Sequence, residues 1–437
     1  MLQAVKNIWK NEFFRNVATL LSGTTLAQAF SVIIYLVLSR IYTEEDFGVF
    51  GLYMNILNIT VIFSTAKYEL AILLPRNDSE SVNLLGLSGL ISAGVSLVLL
   101  VIVISFNDLL CRWLGSNEIS PWLYLVPLST LLVGLFQSFR NYSNREKRYR
   151  LIAGANIGQS LGNSLLKLLL GFLIVGSAGL IFGVVFGQLA GFMIFLAVHL
   201  RHNRSKISWL SLSEMKRLGR QYSLFPRYNM WQGLINNFSG ALPVFVFSAF
   251  FSTAVAGIYT FGYMILYRPV NLVANAFYQV MFRRFVEKQH RETPILQEVR
   301  LFILRTIQVL LVPFILTGIF APAIFGFLFG ENWVEAGRYA QIILPWIFMV
   351  SLVMPLSFIP DMYRKQRIAM LIDGVKLLGR VAGLAVGVWL ENAYIGLALY
   401  SLASTLVILY SLLWYLRLVK ENLPEKTVGT PMMLHDE

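Results

Sequence analysis

Residues 371–390, LIDGVKLLGRVAGLAVGVWL, read as a membrane-spanning helix apart from Asp373, Lys376 and Arg380. These three are spaced i, i+3, i+7 and so share one helix face. One acid offsets one of the two cations, and the face keeps a positive charge. Lys67, Lys167, Arg227, Arg268 and Arg305 also fall within apolar runs, against Glu69 as the one further acid so placed. A charge at the bilayer centre costs at least about 2.5–3.5 kcal/mol on insertion scales. Cations in such excess are expected to line water or meet an anion. Arg227 and Arg305 lie close enough to the ends of their runs to reach headgroups by snorkelling. Arg268 lies near mid-depth, about fourteen residues in at ~1.5 Å per residue. Lys376 and Arg380 are also deep, Lys167 lies in the far half of its run, and Lys67 is intermediate.

Neutral polar residues extend the pattern. Asn156, Gln159, Asn163 and Lys167 recur at i, i+3, i+7, i+11, as do Arg268, Asn271, Asn275 and Gln279. Thr24, Gln28, Ser31 and Tyr35 form a milder stripe. Hydrogen bonding between helices explains an isolated Asn, but several long stripes imply a shared hydrated cavity. Gly374, Gly379, Ala382 and Gly383 suit close helix packing on the charged segment. Tyr228 and Trp231, beside Arg227, could stack on a sugar or a headgroup.

Composition supplies the elements that carry these residues. Of 437 residues, 57% are hydrophobic and 14% charged, with a mean hydropathy of +0.65; a soluble domain is nearer about 45–50% apolar. The excess gathers into runs of roughly 18–25 residues, the length that crosses a bilayer as a helix. Twelve such spans lie near 16–39, 47–74, 83–106, 120–139, 151–175, 179–200, 223–250, 254–282, 299–320, 337–360, 368–389 and 393–416. The first is too long for a signal-peptide core. The lone Cys111 excludes an intrachain disulfide and reads as a small buried hydrophobe. The few histidines form no metal motif, and His199 and His202 read as solvated loop-edge residues.

Charge orients the chain. The N-terminus, the 140–150, 201–220, 283–300 and 364–367 loops and the C-terminal tail hold most of the Lys and Arg. The alternate loops hold Arg40, Arg112 and Arg338. Positive residues stay cytoplasmic, which places both termini inside and requires an even number of spans. The net charge of +13 is mostly this signature. NREKRYR, residues 144–150, is therefore a topology determinant and lipid contact rather than a nucleic-acid site. No outward loop exceeds about 20 residues by this span count, which leaves no room for an extramembrane catalytic domain. The acidic run at 44–46 is a solvated turn and helix start.

The two sets of six spans resemble each other. Ser39, Gly48 and Phe50 match Ser248, Gly257 and Tyr259 at an offset of 209 residues. LGSN (114–117) then faces FGEN (329–332), and RLIAG (150–154) faces MLIDG (370–374). Six spans is an even number, so both copies point the same way, with a site between them. The expected fold is an all-α membrane protein of twelve transmembrane helices in two six-helix bundles around a central cationic cavity. Its parts are an N-terminal bundle (1–206), a linker (207–222), a C-terminal bundle (223–420) and a tail (421–437). The linker belongs to an amphipathic stretch, 208–225, suited to an interface.

RIYTEEDFGVFGLYMNI (40–56), KYELAILLPR (67–76) and the stretch from QYSLFPRYNMW to NAFYQVMF (221–282) resemble the polysaccharide-export branch of the multidrug/oligosaccharidyl-lipid/polysaccharide (MOP) superfamily, above all Wzx-type O-antigen flippases. The resemblance implies alternating access in a bacterial inner membrane, with no cofactor. It implies a substrate of undecaprenyl-pyrophosphate bearing a short oligosaccharide, and functional association with an O-antigen polymerase and chain-length regulator. On that basis Arg268, Lys376, Arg380, Lys167 and Lys67 would surround the pyrophosphate. Arg227, Arg305 and Arg40 would be contacts on the way in and out. Asn156, Gln159, Asn163, Asn271, Asn275 and Gln279 would face sugars, and Asp373 and Glu69 are the acids available for proton coupling. Three other readings stand beside it: a cation-coupled drug exporter, whose pocket should hold more acids than bases; a lipid II flippase, usually of fourteen spans; and a membrane glycan polymerase, which usually carries a long outward loop.

The topology is tested with reporter fusions. Alkaline phosphatase should be active when fused after Gly115 and inactive after Arg201 or Glu437; activity at Glu437 would overturn the orientation.

Overall fold

The computed structural model describes residues 34–173, 176–202, 204–290 and 295–421. Most of the first span, including Thr24, Gln28 and Ser31, lies outside them. The described chain is nearly all helical and contains no strand. The long helices are α1 (34–41), α2 (Glu44–Ser64), α3 (Asp78–Leu114), α4 (Leu125–Arg145), α5 (Tyr149–Leu173) and α6 (Ala178–His202), then α7 (Met230–Phe250), α8 (Thr253–His290), α9 (Leu296–Phe329), α10 (Val334–Val353), α11 (Gln366–Trp389) and α12 (Ala393–Glu421). Among the described residues, eight spans are long and apolar enough to cross a membrane. α5, α8 and α11 are not among them; these are the helices that carry Lys167, Arg268, and the Lys376–Arg380 pair of cations.

Local signals explain where helices begin and end. The acidic run starts α2 with a capping box: Thr43 caps the backbone of Asp46, whose carboxylate accepts from the Thr43 N–H at 2.9 Å. Three acids in that first turn suit the positive end of the helix dipole. The span expected at 47–74 is not one helix. α2 stops at Ser64, Ala66 and Lys67 take left-handed conformations, and a single turn follows at Tyr68–Ala71. Proline divides others: Pro121 sits in a separate turn, Ser120–Leu123, ahead of α4, and Pro355 ends α10 in a 3-10 turn. α3 runs for 37 residues with a kink at Phe106, about 55 Å at ~1.5 Å per residue and well beyond the bilayer core.

The duplication is visible in packing. α3 packs on α4 as α9 does on α10, α4 on α6 as α10 on α12, and α5 on α6 as α11 on α12. The halves meet at the end bearing the cation-poor loops, where α2 crosses α8. A Cβ on Gly48 would lie 2.0 Å from the Thr253 carbonyl oxygen, and one on Gly257 1.7 Å from that of Glu44. These are the residues that the repeat matches to each other, so the pseudo-twofold axis passes between them. The matched residues Ser39 and Ser248 each also bond the opposite half. The Trp333 indole N–H donates to the Ser39 carbonyl at 2.9 Å, and the Ser248 hydroxyl to the Leu114 carbonyl at 2.6 Å. Gly115 and Gly330, at φ +65° and +111°, receive Ser248–Ala249 and Arg40 respectively. Between them Phe47, Phe261, Phe329 and Trp333 form an aromatic plug, with Phe261 and Trp333 ring centres 4.0 Å apart. This end is sealed.

At the cation-rich end the linker is strapped to the first half. A 3-10 turn, Arg204–Trp209, leads into the amphipathic helix Leu212–Gln221, which buries Met215 and Leu218. The Tyr68 hydroxyl donates to Gly219, and Arg217 meets Glu80 at 2.7 Å. Lys206 reaches Glu146 at 2.9 Å and the Tyr142 hydroxyl at 3.1 Å. Burial opposes charge on Glu146, yet Lys206 and Arg148 hold its carboxyl below the usual range. His199 departs from expectation. It is buried, packs on Phe139 and Tyr142, and makes a 2.9 Å hydrogen bond with the Phe195 carbonyl. It lies one helical turn inside the end of α6, where the bundle covers it.

Gly257→Leu should hold the two halves apart, because overpacking of this kind costs about 1–3 kcal/mol. Gly374, with nothing within 4 Å of its Cβ position, provides the control. A single cysteine at Phe329 in a Cys111→Ala background should label faster with an impermeant thiol reagent in Gly257→Leu than in Gly374→Leu. Equal rates would mean that the crossing does not set the seal.

Candidate functional site

The polar stripe of α5 rests on a glycine ladder in α6. A Cβ at Gly183 would lie 2.5 Å from Lys167 Cγ, at Gly187 2.8 Å from Asn163 Cβ, and at Gly191 3.0 Å from Gln159 Cβ. Spacing of i, i+4, i+8 puts these three glycines on one face, and each makes room for one member of the stripe. Such ladders let helices approach closely in lipid. The ladder is legible in GVVFGQLAG (183–191), but glycine has no charge or hydrogen-bonding side chain to mark it as part of a polar site.

Lys167 is 4% exposed. Its ammonium lies 4.5 Å from the centre of the Phe50 ring, an attraction that partly replaces lost hydration. Arg268 reaches the same region from α8, its guanidinium carbon 4.8 Å from the Tyr35 ring centre. The two cations line one cavity of about 170 Å3 with Ile34, Tyr35, Leu38, Ser160, Asn163 and Ser164. α1, α5 and α8 thus build it from both halves of the chain. Among the described residues no carboxylate lines it, and no described acid forms an ion pair with either cation. From Arg268 the α8 stripe runs toward the cation-rich end, with Asn271 half-buried and Asn275 and Gln279 exposed. Asn275 donates to Asn271 Oδ1 at 2.7 Å, so these amides partly satisfy each other along the helix. On α5, Asn163 reaches the cavity, Gln159 is half-buried and Asn156 is exposed.

The other expected cavity cations do not join Lys167 and Arg268. Lys376 is held by Asp373 at 2.5 Å, the one-turn pair available on its own helix. Lys67 sits at the left-handed break after α2, 3.9 Å from Glu69, whose buried carboxylate also accepts from Thr65. Arg380 is 4% exposed, buried among helices of the second half. It donates to Ser404 and Ser239 at 2.8 and 2.9 Å and lies over Trp346 and Tyr400 at 4.9 and 4.6 Å. Those four partners satisfy it without a carboxylate. Asp373 and Glu69 are thus engaged in ion pairs. Arg227 is exposed in the π-turn Phe225–Asn229 near exposed Trp231, Arg305 is half-buried on α9, and Arg40 covers Gly330 at the seal. Of the packing residues expected on α11, Gly383 meets Leu399 and Tyr400, whereas Gly374 faces open space.

This arrangement offers fixed positive charge, hydroxyls and amides to a small anion. Among the described residues, no group of three or more His, Cys, Asp or Glu side chains could hold a metal ion.

Comparison with solved structures places the architecture. The lipid II flippase MurJ in an inward closed conformation superimposes with a TM-score of 0.67 at 12% identity, over 90% of this chain and 87% of that one. An inward-facing multidrug resistance transporter of the MATE family, in the MOP superfamily, gives 0.59 at 12% identity over 90% and 96%. A MOP superfamily transporter from Pyrococcus furiosus, described as having a binding pocket of reverse polarity, gives 0.55 at 12% identity over 93% and 95%. At such identities the likeness establishes the fold: twelve helices in two six-helix bundles, as in MOP transporters, in a multi-pass membrane protein. No curated protein matches the chain significantly by sequence. The sequence model of a family described as polysaccharide biosynthesis protein matches residues 37–338, and the chain belongs to that family.

Proposed function

We propose that the protein is a flippase for undecaprenyl-pyrophosphate-linked oligosaccharide repeat units, moving them from the cytoplasmic to the periplasmic leaflet of a bacterial inner membrane without covalent chemistry. The observation that carries this reading is the pairing of Lys167 with Arg268 in one cavity that no described carboxylate lines. Two like charges there favour an anion of about two negative charges, and a diphosphate can accept from the ammonium and the guanidinium together. The cavity is smaller than the roughly 300–1,000 Å3 of pockets that enclose a whole drug-sized ligand. It suits the diphosphate, while the sugars would lie along Asn271, Asn275 and Gln279. The same polarity disfavours cationic drugs.

The seal at the cation-poor end and the exposed stripe leading to the cation-rich end describe one state of an alternating-access cycle. With the cation-rich end cytoplasmic, that state receives substrate from the inner leaflet. Arg227 and Arg305 lie toward that mouth and Arg40 at the opposite one. Outward movement of an anion down an inside-negative potential releases about 2.3 kcal/mol per charge per 100 mV, so the potential can drive export. Asp373 and Glu69, each held by a lysine, would have to leave that partner before carrying a proton. A polymerase and chain-length regulator would take over the delivered unit.

The test is export in cells lacking the native chain. Lys167→Met with Arg268→Met should lower surface glycan about tenfold or more, the scale of lost hydrogen bonds to charged groups, and lipid-linked units should accumulate facing the cytoplasm. Lys167→Arg should retain more activity than Lys167→Met. Full export by a correctly inserted double variant would end the proposal, and accumulation facing the periplasm would indicate a polymerase instead. The sugars on the accumulated lipid identify the cargo and separate a repeat-unit flippase from one for lipid II.

A further inference from the structure

Tyr42 stands in the short turn between α1 and α2, beside the seal, and its hydroxyl reaches the cavity helix. It donates to the backbone carbonyl of Lys167 at 2.7 Å. The hydroxyl occupies a notch made by two glycines: a Cβ on Gly179 would lie 2.0 Å from it and one on Gly171 2.7 Å. The same residue is tied to the seal. Its ring packs edge-on against Phe47 at 6.3 Å, and Phe47 against Trp333 at 5.2 Å. Trp333 bonds the carbonyl of Ser39, three residues before Tyr42. A second route leaves the Lys167 side chain, whose ammonium lies over Phe50, 6.4 Å from Phe47. Backbone and side chain of Lys167 therefore both connect to Phe47, at the centre of the aromatic plug.

We propose that Tyr42 is a positioning residue that couples occupancy of the Lys167–Arg268 cavity to the seal. It does not touch the ligand. An anion that draws on Lys167 shifts α5, and the buried hydroxyl bond transmits the shift to the α1–α2 turn, where Ser39 holds Trp333. Coupling of this kind needs a packed, contiguous element that both sites bias; here it is the turn from Ser39 to Phe47. The inference rests on the reading of the cavity as a diphosphate site. It adds the element by which binding there would reach the closed end.

Tyr42→Phe isolates the point, because it keeps every ring contact and removes only the hydroxyl. Purified Cys111→Ala protein with a reporter cysteine at Phe329 is reconstituted in nanodiscs, and farnesyl pyrophosphate is the probe. Its binding is measured by calorimetry, and the reporter's reaction with a thiol reagent is measured with and without it. With Tyr42 present, the probe should raise the labelling rate at least about fivefold, the lower range of allosteric coupling. In Tyr42→Phe the probe should still bind, but the rate should no longer respond. Gly179→Ala, which expels the hydroxyl from its notch while keeping the tyrosine, should give the same loss. A packing role alone would leave the response intact in Tyr42→Phe, and that result overturns the coupling. So does binding without any change in labelling when Tyr42 is present. Absence of binding at wild-type Lys167 and Arg268 instead overturns the diphosphate reading, and the coupling with it.

Discussion

Two cations facing one cavity, with no carboxylate among its described lining residues, set the terms for the rest of this molecule. Lys167 is almost wholly buried, and water is the main alternative to an anionic partner for a charge in a low-dielectric wall. Phe50 and Tyr35 present ring faces to the two cations, which lessens the cost without cancelling the charge. The site therefore keeps an attraction for anions that a neutralised pair would lack. Lys376 with Asp373 and Lys67 with Glu69 show the contrast, since these cations meet their acids within the protein.

Glycine makes this geometry attainable. The ladder in α6 accepts the α5 stripe so closely that no Cβ would fit opposite Lys167 or Asn163. The crossing of Gly48 and Gly257 brings the two halves into backbone contact at the sealed end. The repeat doubles the glycine contacts there, Gly48 with Gly257 and Gly115 with Gly330, so one small-residue solution serves both copies of the duplicated unit. The charged positions do not follow the symmetry. Arg268 on α8 corresponds to Ile59 on α2, and Lys167 on α5 to Gly387 on α11, so the repeat mirrors neither cation.

The linker adds an asymmetry of its own. Lys206, Arg217 and Tyr68 bind it to the first half. It is thereby fastened to that half, and the π-turn Phe225–Asn229, carrying Pro226, follows before α7. The seal opposite consists of two hydrogen bonds, four glycine contacts and an aromatic plug. The ionic strap at the cation-rich end holds the first half and the linker together.

Hydropathy determined the membrane class, and the spacing of Lys and Arg predicted an orientation, because both depend on the solvent each segment meets rather than on its neighbours. Repeat matching was legible for the same reason that it mattered: Gly48 and Gly257 tolerate nothing larger. Within one helix, periodicity revealed which residues share a face, and the Asp373–Lys376 pair follows from that spacing alone. The fate of the remaining charges was decided only in three dimensions. Arg380 is satisfied by Ser239, Trp346, Tyr400 and Ser404, which lie on three other helices. Lys67 meets Glu69 because α2 breaks where hydropathy runs on. Lys167 and Arg268, a hundred residues apart, share a cavity through the packing of α1, α5 and α8. Compensation of a buried charge depends on what other helices bring within a few ångströms, and no one-dimensional pattern carries that distance.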